Sequence, residues 1–314
     1  MADSIRIRKA LPDELDAVVA LAGRALGWNP AEPNRTLFEW KHSANPFGPS
    51  RLWVAVDADQ IVGIRALMRW EFRRPDSRVA RAVRPVDTAT DPDHQGRGIF
   101  RRLTEHAIEA EAADGVSFVF NTPNDQSRPG YLKMGWQEVG QVATWVRPHS
   151  LPALARMARS REPAQKWSLP TDAGDDPVTV FTDQFVDHLA TDPDQAMTTN
   201  RSGSFLRWRY GLPELHYRVI TTDDAAVVFR LRRRGVATEL VLADVLAVAP
   251  AAVTDALKKV RRAVSADYEI AAGSSVPGLL RLPGQGPVLT TRRLAEAAPG
   301  LDDFALRLGD IELF

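Results

Sequence analysis

The two halves of this chain carry the same short patterns in the same order. "LFEWK" (Leu37 to Lys41) is echoed by "FLRWR" (Phe205 to Arg209). "WVAVDADQIVGIRAL" (Trp53 to Leu67) aligns without a gap with "YRVITTDDAAVVFRL" (Tyr217 to Leu231). "VDTATDP" faces "ADVLAVAP" with one residue inserted, and "PGYLKMG" (Pro129 to Gly135) faces "PGLLRLP" (Pro277 to Pro283). Four echoes in one order imply a supersecondary plan used twice. The 314 residues suffice for two ordinary domains.

Periodicity supplies the elements of that plan. "SIRIRKA" alternates as a strand does, and Pro12 and Asp13 open the amphipathic run "DELDAVVALAGRAL", which ends near Gly27. A second short helix follows in "RTLFEWKHS". "RLWVAV" and "IVGIRALMRWEF" flank "DADQ" as a strand pair with a tight turn. "ARAVRPVDTAT" is a strand, "GIFRRLTEHAIEAEAA" a helix, "VSFVFN" a strand, "DQSRPGYLKM" a short helix and "QEVGQVATWVRP" a last strand. The first half thus reads β-α-α-β-β-β-α-β-α-β. Turn formers and a small basic helix, "LPALARMARSRE", mark the region after it as a linker. The expected division is a first domain over 1–148, a linker over 149–180 and a second domain over 181–314.

Composition excludes several classes of function. Forty basic residues balance forty acidic ones, which gives no bulk electrostatic grip on nucleic acid or an anionic membrane. Without cysteine there is no disulfide, thiolate zinc site or thiol nucleophile. The six histidines show no HxxxH-like spacing, so no metal site is expected. The longest apolar stretch, around "LVLADVLAVAPAAV", is broken by Asp244 and Pro250 and is too short to span a bilayer. "MADSIRIRKALPDELD" has no apolar core of a secretory signal. A cytoplasmic protein is expected.

The junction "TDPDHQGRGIFRRL" (Thr90 to Leu103) joins a strand to a helix through two glycines. A helix amino terminus exposes unpaired N–H groups and the positive end of the helix dipole. Glycines ahead of it let the backbone approach an anion. The stretch therefore reads as a phosphate or pyrophosphate cradle, to which Arg97, Arg101 and Arg102 could add charge. It is not a P-loop, since no G-K-[ST] follows, and it lacks the G-x-G-x-x-G dinucleotide fingerprint.

The junction resembles the [QR]-x-x-G-x-[GA] turn of the GNAT superfamily of acyl-CoA N-acyltransferases. Gln95, Gly96, Arg97, Gly98 and Ile99 fit, and Phe100 stands where Gly or Ala is usual. Downstream, "NDQSRPGYLKMGW" resembles a second family pattern, N-x-x-[AS]-x-x-x-Y-x-x-x-G-[FW], through Asn124, Ser127, Tyr131, Gly135 and Trp136. The resemblance implies two GNAT-like domains of α/β (α+β) class, each a mixed, mostly antiparallel sheet flanked by helices. It implies acetyl-CoA as acyl donor, held at the pyrophosphate by the turn, with Asn124 near the pantetheine arm. It further implies that backbone amides near Ala89 and Thr90 polarise the thioester carbonyl and that Tyr131 protonates the departing thiolate. Taken by itself, outside that motif, Tyr131 could be a core tyrosine with a satisfied hydroxyl. The general base stays open between Asp87, Glu71 and His42. In this family the helices after the first strand usually form the acceptor pocket, so Trp28, Phe38, Trp40 and His42 are candidates to line it, although that spacing also suits a core face.

In the second half "AVAP" passes straight into "AAVTDALKKV" without a glycine turn, and Leu279 stands opposite Tyr131. The second domain is expected to keep the fold without the CoA chemistry, supporting the first and shaping an acceptor cleft. The expected activity is acetyl transfer to the primary amine of a small molecule. The alternatives are aminoacyl or peptidyl transfer, as in Fem-like ligases, and a non-catalytic CoA-binding protein.

Overall fold

The computed structural model describes residues 5–189, 195–295 and 297–312. In chain order the elements begin with β1 (Arg6–Lys9), α1 (Leu15–Leu26), α2 (Asn34–His42), β2 (Arg51–Asp57), β3 (Gln60–Arg73) and β4 (Val79–Thr90). Next come α3 (Ile99–Ala113), β5 (Phe118–Asn121), α4 (Arg128–Lys133), β6 (Gln137–Gln141) and β7 (Thr144–Pro148). Then α5 (Leu151–Arg159), α6 (Pro177–Val180), α7 (Asp183–Leu189), the two-residue β8 (Thr198–Thr199) and α8 (Gly203–Tyr210) follow. The chain continues through β9 (Arg218–Thr222), β10 (Ala225–Arg234), β11 (Ala237–Ala247) and α9 (Pro250–Ala263). It finishes with β12 (Tyr268–Ala272), β13 (Leu280–Leu282), β14 (Val288–Arg293) and α10 (Leu308–Ile311).

Local chemistry accounts for most of these boundaries. α1 stops where Gly27 takes φ 67° and its N–H bonds the Gly23 carbonyl, a left-handed cap that glycine adopts without strain. The β2–β3 turn places Ala58 and Asp59 at φ 43° and 67°, the handedness that matches strand twist in a two-residue hairpin.

Two sheets result. One runs in the order β1-β2-β3-β4-β5-β14-β6, the other β13-β7-β12-β11-β10-β9. Both are mixed: β4 runs parallel to β5 and β11 parallel to β12, while pairs such as β2·β3 and β10·β11 are antiparallel. The compact units are not consecutive halves. The first takes residues up to Phe72, Val79–Gly140 and Val288–Gly300; the second takes Arg73–Arg78, Gln141–Pro287 and Leu301 onward. "QEVGQVATWVRP", expected as one strand closing the first domain, is two strands separated at Val142 and Ala143. β6 stays in the first sheet, β7 pairs with β12 and β13 in the second, and β14 from far downstream lies between β5 and β6.

Three of the four sequence echoes have matching structure. Leu37 to Lys41 and Phe205 to Arg209 are helical, the gapless pair forms the hairpins β2–β3 and β9–β10, and the third pair covers the ends of β4 and β11. The fourth does not match: 129–135 holds α4, whereas 277–283 is a turn and β13.

Alternation along β2 divides the first core. Trp53 and Ala55 join Ile99, Leu103 and Ala107 of α3 on one face, while Val54 and Val56 join Val18, Leu21 and Phe38 of α1 and α2 on the other. α3 lies so close on β3 that a Cβ at Gly63 would stand 2.6 Å from Ile99 Cγ2. This contact fixes where the amino terminus of α3 sits. β4 is twelve residues long, yet its parallel pairing with β5 covers Ala82↔Phe118 and Val83↔Val119. The carboxyl half of β4 is therefore free to part from β5, just ahead of the glycine turn.

Candidate active site

The turn expected to hold an anion has the backbone for it. Gly96 and Gly98 take φ 76° and 71°, and Gly98 is the left-handed N-cap of α3. An L side chain is strained in that region. A Cβ at either glycine would meet nothing within 4 Å, so the space over the turn is open. Gly98 offers no side-chain cap to the first N–H groups of α3, which a helix cannot satisfy internally. Gln95 precedes the two glycines in extended conformation. The arginines contribute less than the sequence suggests. Arg97 is tied to Asp57 at 2.7 Å, Arg101 to Glu105 at 2.8 Å, and Arg102 donates to the Ile5 carbonyl at 2.8 Å. The Ile99 side chain is core, so only its backbone can face a ligand.

Tyr131, on α4, is 4% exposed and packs in the core between Phe100 and Trp136, with ring centroids 5.4 and 4.9 Å away. Its hydroxyl accepts a hydrogen bond of 2.8 Å from Arg65 Nη1. Arg65, in the middle of β3, is 0% exposed. It also donates to Thr88 and Thr104, and its guanidinium lies over the rings of Phe100 and Tyr131 at 5.1 and 5.3 Å. Among the described residues no carboxylate forms a salt bridge with it, so hydroxyls and π-faces solvate a buried cation. Phe100, which departs from the family pattern, fills this cluster. Its ring reaches Gly130, where a Cβ would stand 3.0 Å from it.

A second cluster forms around Asp87, the neighbour of Thr88 on β4. Asp87 takes φ 45°, in the left-handed region that costs a non-glycine residue about 1–3 kcal/mol. Its carboxylate meets Lys41 and lies 2.9 Å from His42 Nε2. Burial alone would raise its pKa, but Lys41 and the His42 hydrogen bond bring it down to about 2. An aspartate held that low is a poor proton acceptor. Burial pushes His42 the other way from its partner's pull, and its pKa falls below the ordinary imidazole value despite Asp87. A carboxylate can only accept, so Nε2 carries the proton and Nδ1 is left to accept from Ser50 Oγ at 2.9 Å. The result is the chain Ser50–His42–Asp87. Adjacent residues of β4 thus end in the two clusters, Asp87 at His42 and Thr88 at Arg65.

Of the other expected residues, Asn124 spends its side-chain oxygen on the amide and hydroxyl of Ser127, both at 2.9 Å, at the start of α4. Ala89 turns its side chain into the core beside Phe38, and Thr90 is half-buried at the end of β4. Phe38, expected to line an acceptor pocket, is 1% exposed and packs on the His42 ring at 4.3 Å, so it is a core residue. Trp28 and Trp40 are half-buried, and Glu71 is half-buried near the end of β3. Sequence reasoning missed Arg65, Thr88, Thr104, Lys41 and Ser50. The one visible signal was an arginine inside the apolar strand "IVGIRALMRWEF". Among the described residues no group of three or more His, Cys, Asp or Glu is placed to hold a metal, and no helix is long and apolar enough to cross a membrane.

Residues 6–139 match the family model described as an acetyltransferase (GNAT) domain. No curated protein matches the chain. Solved structures share its fold at low identity. A GCN5-related N-acetyltransferase from Anabaena variabilis is 11% identical with a TM-score of 0.66, covering 92% of this chain and 73% of its own. One from Kribbella flavida is 15% identical with a TM-score of 0.64, covering 93% and 72%. Eis1 from Mycobacterium abscessus is 14% identical with a TM-score of 0.59, covering 93% and 74%.

Proposed function

We propose, starting from an amino-terminal GNAT acetyltransferase domain over residues 6–139, that this N-acetyltransferase transfers acetyl from acetyl-CoA to the primary amine of a small molecule. The observation that carries the reading is the open glycine turn at the amino terminus of α3, set where β4 parts from β5. Backbone N–H groups of Gly96 to Phe100 hold the pyrophosphate, and amides of the parted strand near Ala89 and Thr90 hold the thioester carbonyl. Asn124, with its oxygen committed to Ser127, keeps its amide donors for the pantetheine arm.

The reaction forms a C–N bond, breaks the C–S bond and moves two protons. Both leave the nitrogen: the ammonium loses one to a base before attack, and the second leaves as the tetrahedral intermediate collapses and replaces the one that the departing thiolate takes from the protein. Tyr131 donates to the sulfur, and the phenolate left behind faces the Arg65 guanidinium, which forms no salt bridge with a carboxylate among the described residues. His42, neutral near pH 7 and oriented by Asp87, takes the amine's proton through the Ser50 hydroxyl. The second unit is a degenerate copy: α9 starts at Pro250 with no glycine turn before it, and 277–283, the sequence echo of the segment that carries Tyr131, is a turn and β13 with no helix corresponding to α4.

The test is thiol release from acetyl-CoA across a panel of primary amines, with acetyl-CoA-induced thermal stabilisation measured alongside. Stabilisation together with turnover on at least one small amine supports the reading. Acetyl-CoA that neither stabilises the protein nor loses its acetyl group to any amine overturns it.

A further inference from the structure

The second unit contains a cavity of about 700 Å³ that the acetyl-transfer reading leaves without a role. Its place follows from the topology. β11 pairs with β12 over Glu239 to Val241 but runs on to Ala247, so the two parallel strands part and leave a gap ahead of α9. Trp145, Leu189, Val248, Val253, Val276 and Leu279 give it apolar walls. The volume falls in the range of small-ligand sites, about 300–1,000 Å³, which are typically apolar with a few convergent polar groups.

The polar groups are unevenly satisfied. Arg201 is bound to Asp310 at 2.8 Å and to Asp244 at 2.7 Å, and Asp244 also accepts the Tyr210 hydroxyl at 3.0 Å. Asp310 also accepts from the Thr199 hydroxyl and the Arg307 backbone N–H, so both aspartates and Arg201 are partnered. Arg307 also lines the cavity, and among the described residues no hydrogen bond or salt bridge reaches its guanidinium. Burial works against its charge, and Asp244 and Asp310 offset that only from a distance, against repulsion by Arg201. A half-buried guanidinium facing an apolar space lacks the partner that its planar fork suits, a carboxylate. With Arg73 also on the lining, three arginines (Arg73, Arg201 and Arg307) stand against Asp244 and Asp310 and leave one formal positive charge, so one added carboxylate is accommodated and a second would face the two aspartates. CoA is disfavoured here because α9 begins at Pro250 behind Ala249, with no glycine cradle for a pyrophosphate.

We propose that this cavity binds a monocarboxylate with a bulky apolar body, its carboxylate on Arg307 and its body against Trp145, Val253 and Leu279. The site is separate from the acetyl-transfer chemistry and does not depend on that reading.

Isothermal titration of the full chain with 1-naphthylacetate, its neutral amide and decanoate tests this. The expected result is one-to-one binding of both acids, with the amide at least tenfold weaker than its parent acid. Arg307→Met should weaken the acids at least tenfold and erase the preference over the amide. Val253→Trp, which fills the cavity, should abolish binding of all three. Circular dichroism melting checks that each variant folds. If Arg307→Met does not fold, Arg307→Lys replaces it and should weaken the acids while keeping their preference over the amide. No binding of any probe at millimolar concentration, equal binding of acid and amide, or undiminished acid binding by Arg307→Met or Val253→Trp overturns the proposal. Acetyl-CoA turnover is read in parallel and should not change in the cavity variants.

Discussion

Replacing Tyr131 by Phe separates its packing role from the proton donation proposed for it. The substitution keeps the ring contacts with Phe100 and Trp136 and removes one oxygen. That oxygen accepts from Arg65 Nη1, which keeps Thr88 as a second partner, so no donor is wholly orphaned. A hydrogen bond to a charged group contributes about 1.5–3 kcal/mol, and the surviving partner places the loss at the lower end, about 1–2 kcal/mol. Loss of a general acid lowers kcat by about 10²–10⁴-fold, equivalent to roughly 3–5 kcal/mol on the barrier. The two effects differ enough to be told apart. Urea denaturation reads the first, and thiol release at saturating acetyl-CoA from pH 6 to 9 reads the second. The KM for acetyl-CoA should stay within about threefold, since the cradle lies on α3. A kcat within threefold of the parent at every pH would refute the proton-donor role and leave Tyr131 as a core residue that anchors Arg65.

Other perturbations test the rest of the site. Gly98→Val forces a β-branched residue to φ 71°; a strain of about 1–2 kcal/mol and a blocked cradle should raise the KM for acetyl-CoA at least tenfold, read by thiol release. Gly63→Ala puts a Cβ 2.6 Å from Ile99 Cγ2 and should cost about 1–3 kcal/mol in urea denaturation. Lys41→Met strips Asp87 of its buried cation and should destabilise by about 3 kcal/mol, the low end for a broken buried pair because His42 still holds the carboxylate. The folded His42 resists a proton that the unfolded imidazole accepts below about pH 6.5. Its contribution to stability is therefore full above that pH and declines as pH falls through the window below it. His42→Asn should flatten that part of a stability profile recorded from pH 5 to 8.

The sequence carried what is local. The β2–β3 hairpin, the helix stop at Gly27 and the glycine turn before α3 depend on a few adjacent residues, and periodicity or backbone freedom exposes each. What pairs distant segments was hidden. Nothing in "QEVGQVATWVRP" shows that Val142 and Ala143 divide two strands bound for different sheets, because both read as strand-compatible. Nothing near Val288 announces that β14 lies beside β5. In the site, Phe100 looked like a misfit in a motif until Gly130, thirty residues on, supplied the space for its ring. Asp87 stood out as a base candidate by its position on β4, but only contact with Lys41 and His42 shows it holding a low pKa and orienting an imidazole. Phe38 fits pocket and core equally by spacing, and burial decides for the core.

The position of β14 bears on how the protein is made. On a ribosome, amino-terminal domains usually fold as they emerge, but here the sheet whose β4 leads into the glycine turn lacks an internal strand until residue 293 is synthesised. Roughly 150 residues separate β6 from β14, about 7–30 s of translation at 5–20 residues per second. Throughout that interval β5 presents an open edge, the kind of surface that invites pairing with other nascent chains. A shielding chaperone, or a temporary partner strand, is the biogenesis requirement that this topology imposes. Splitting the gene after residue 148 should yield an insoluble amino-terminal fragment that co-expression of the remaining segment rescues.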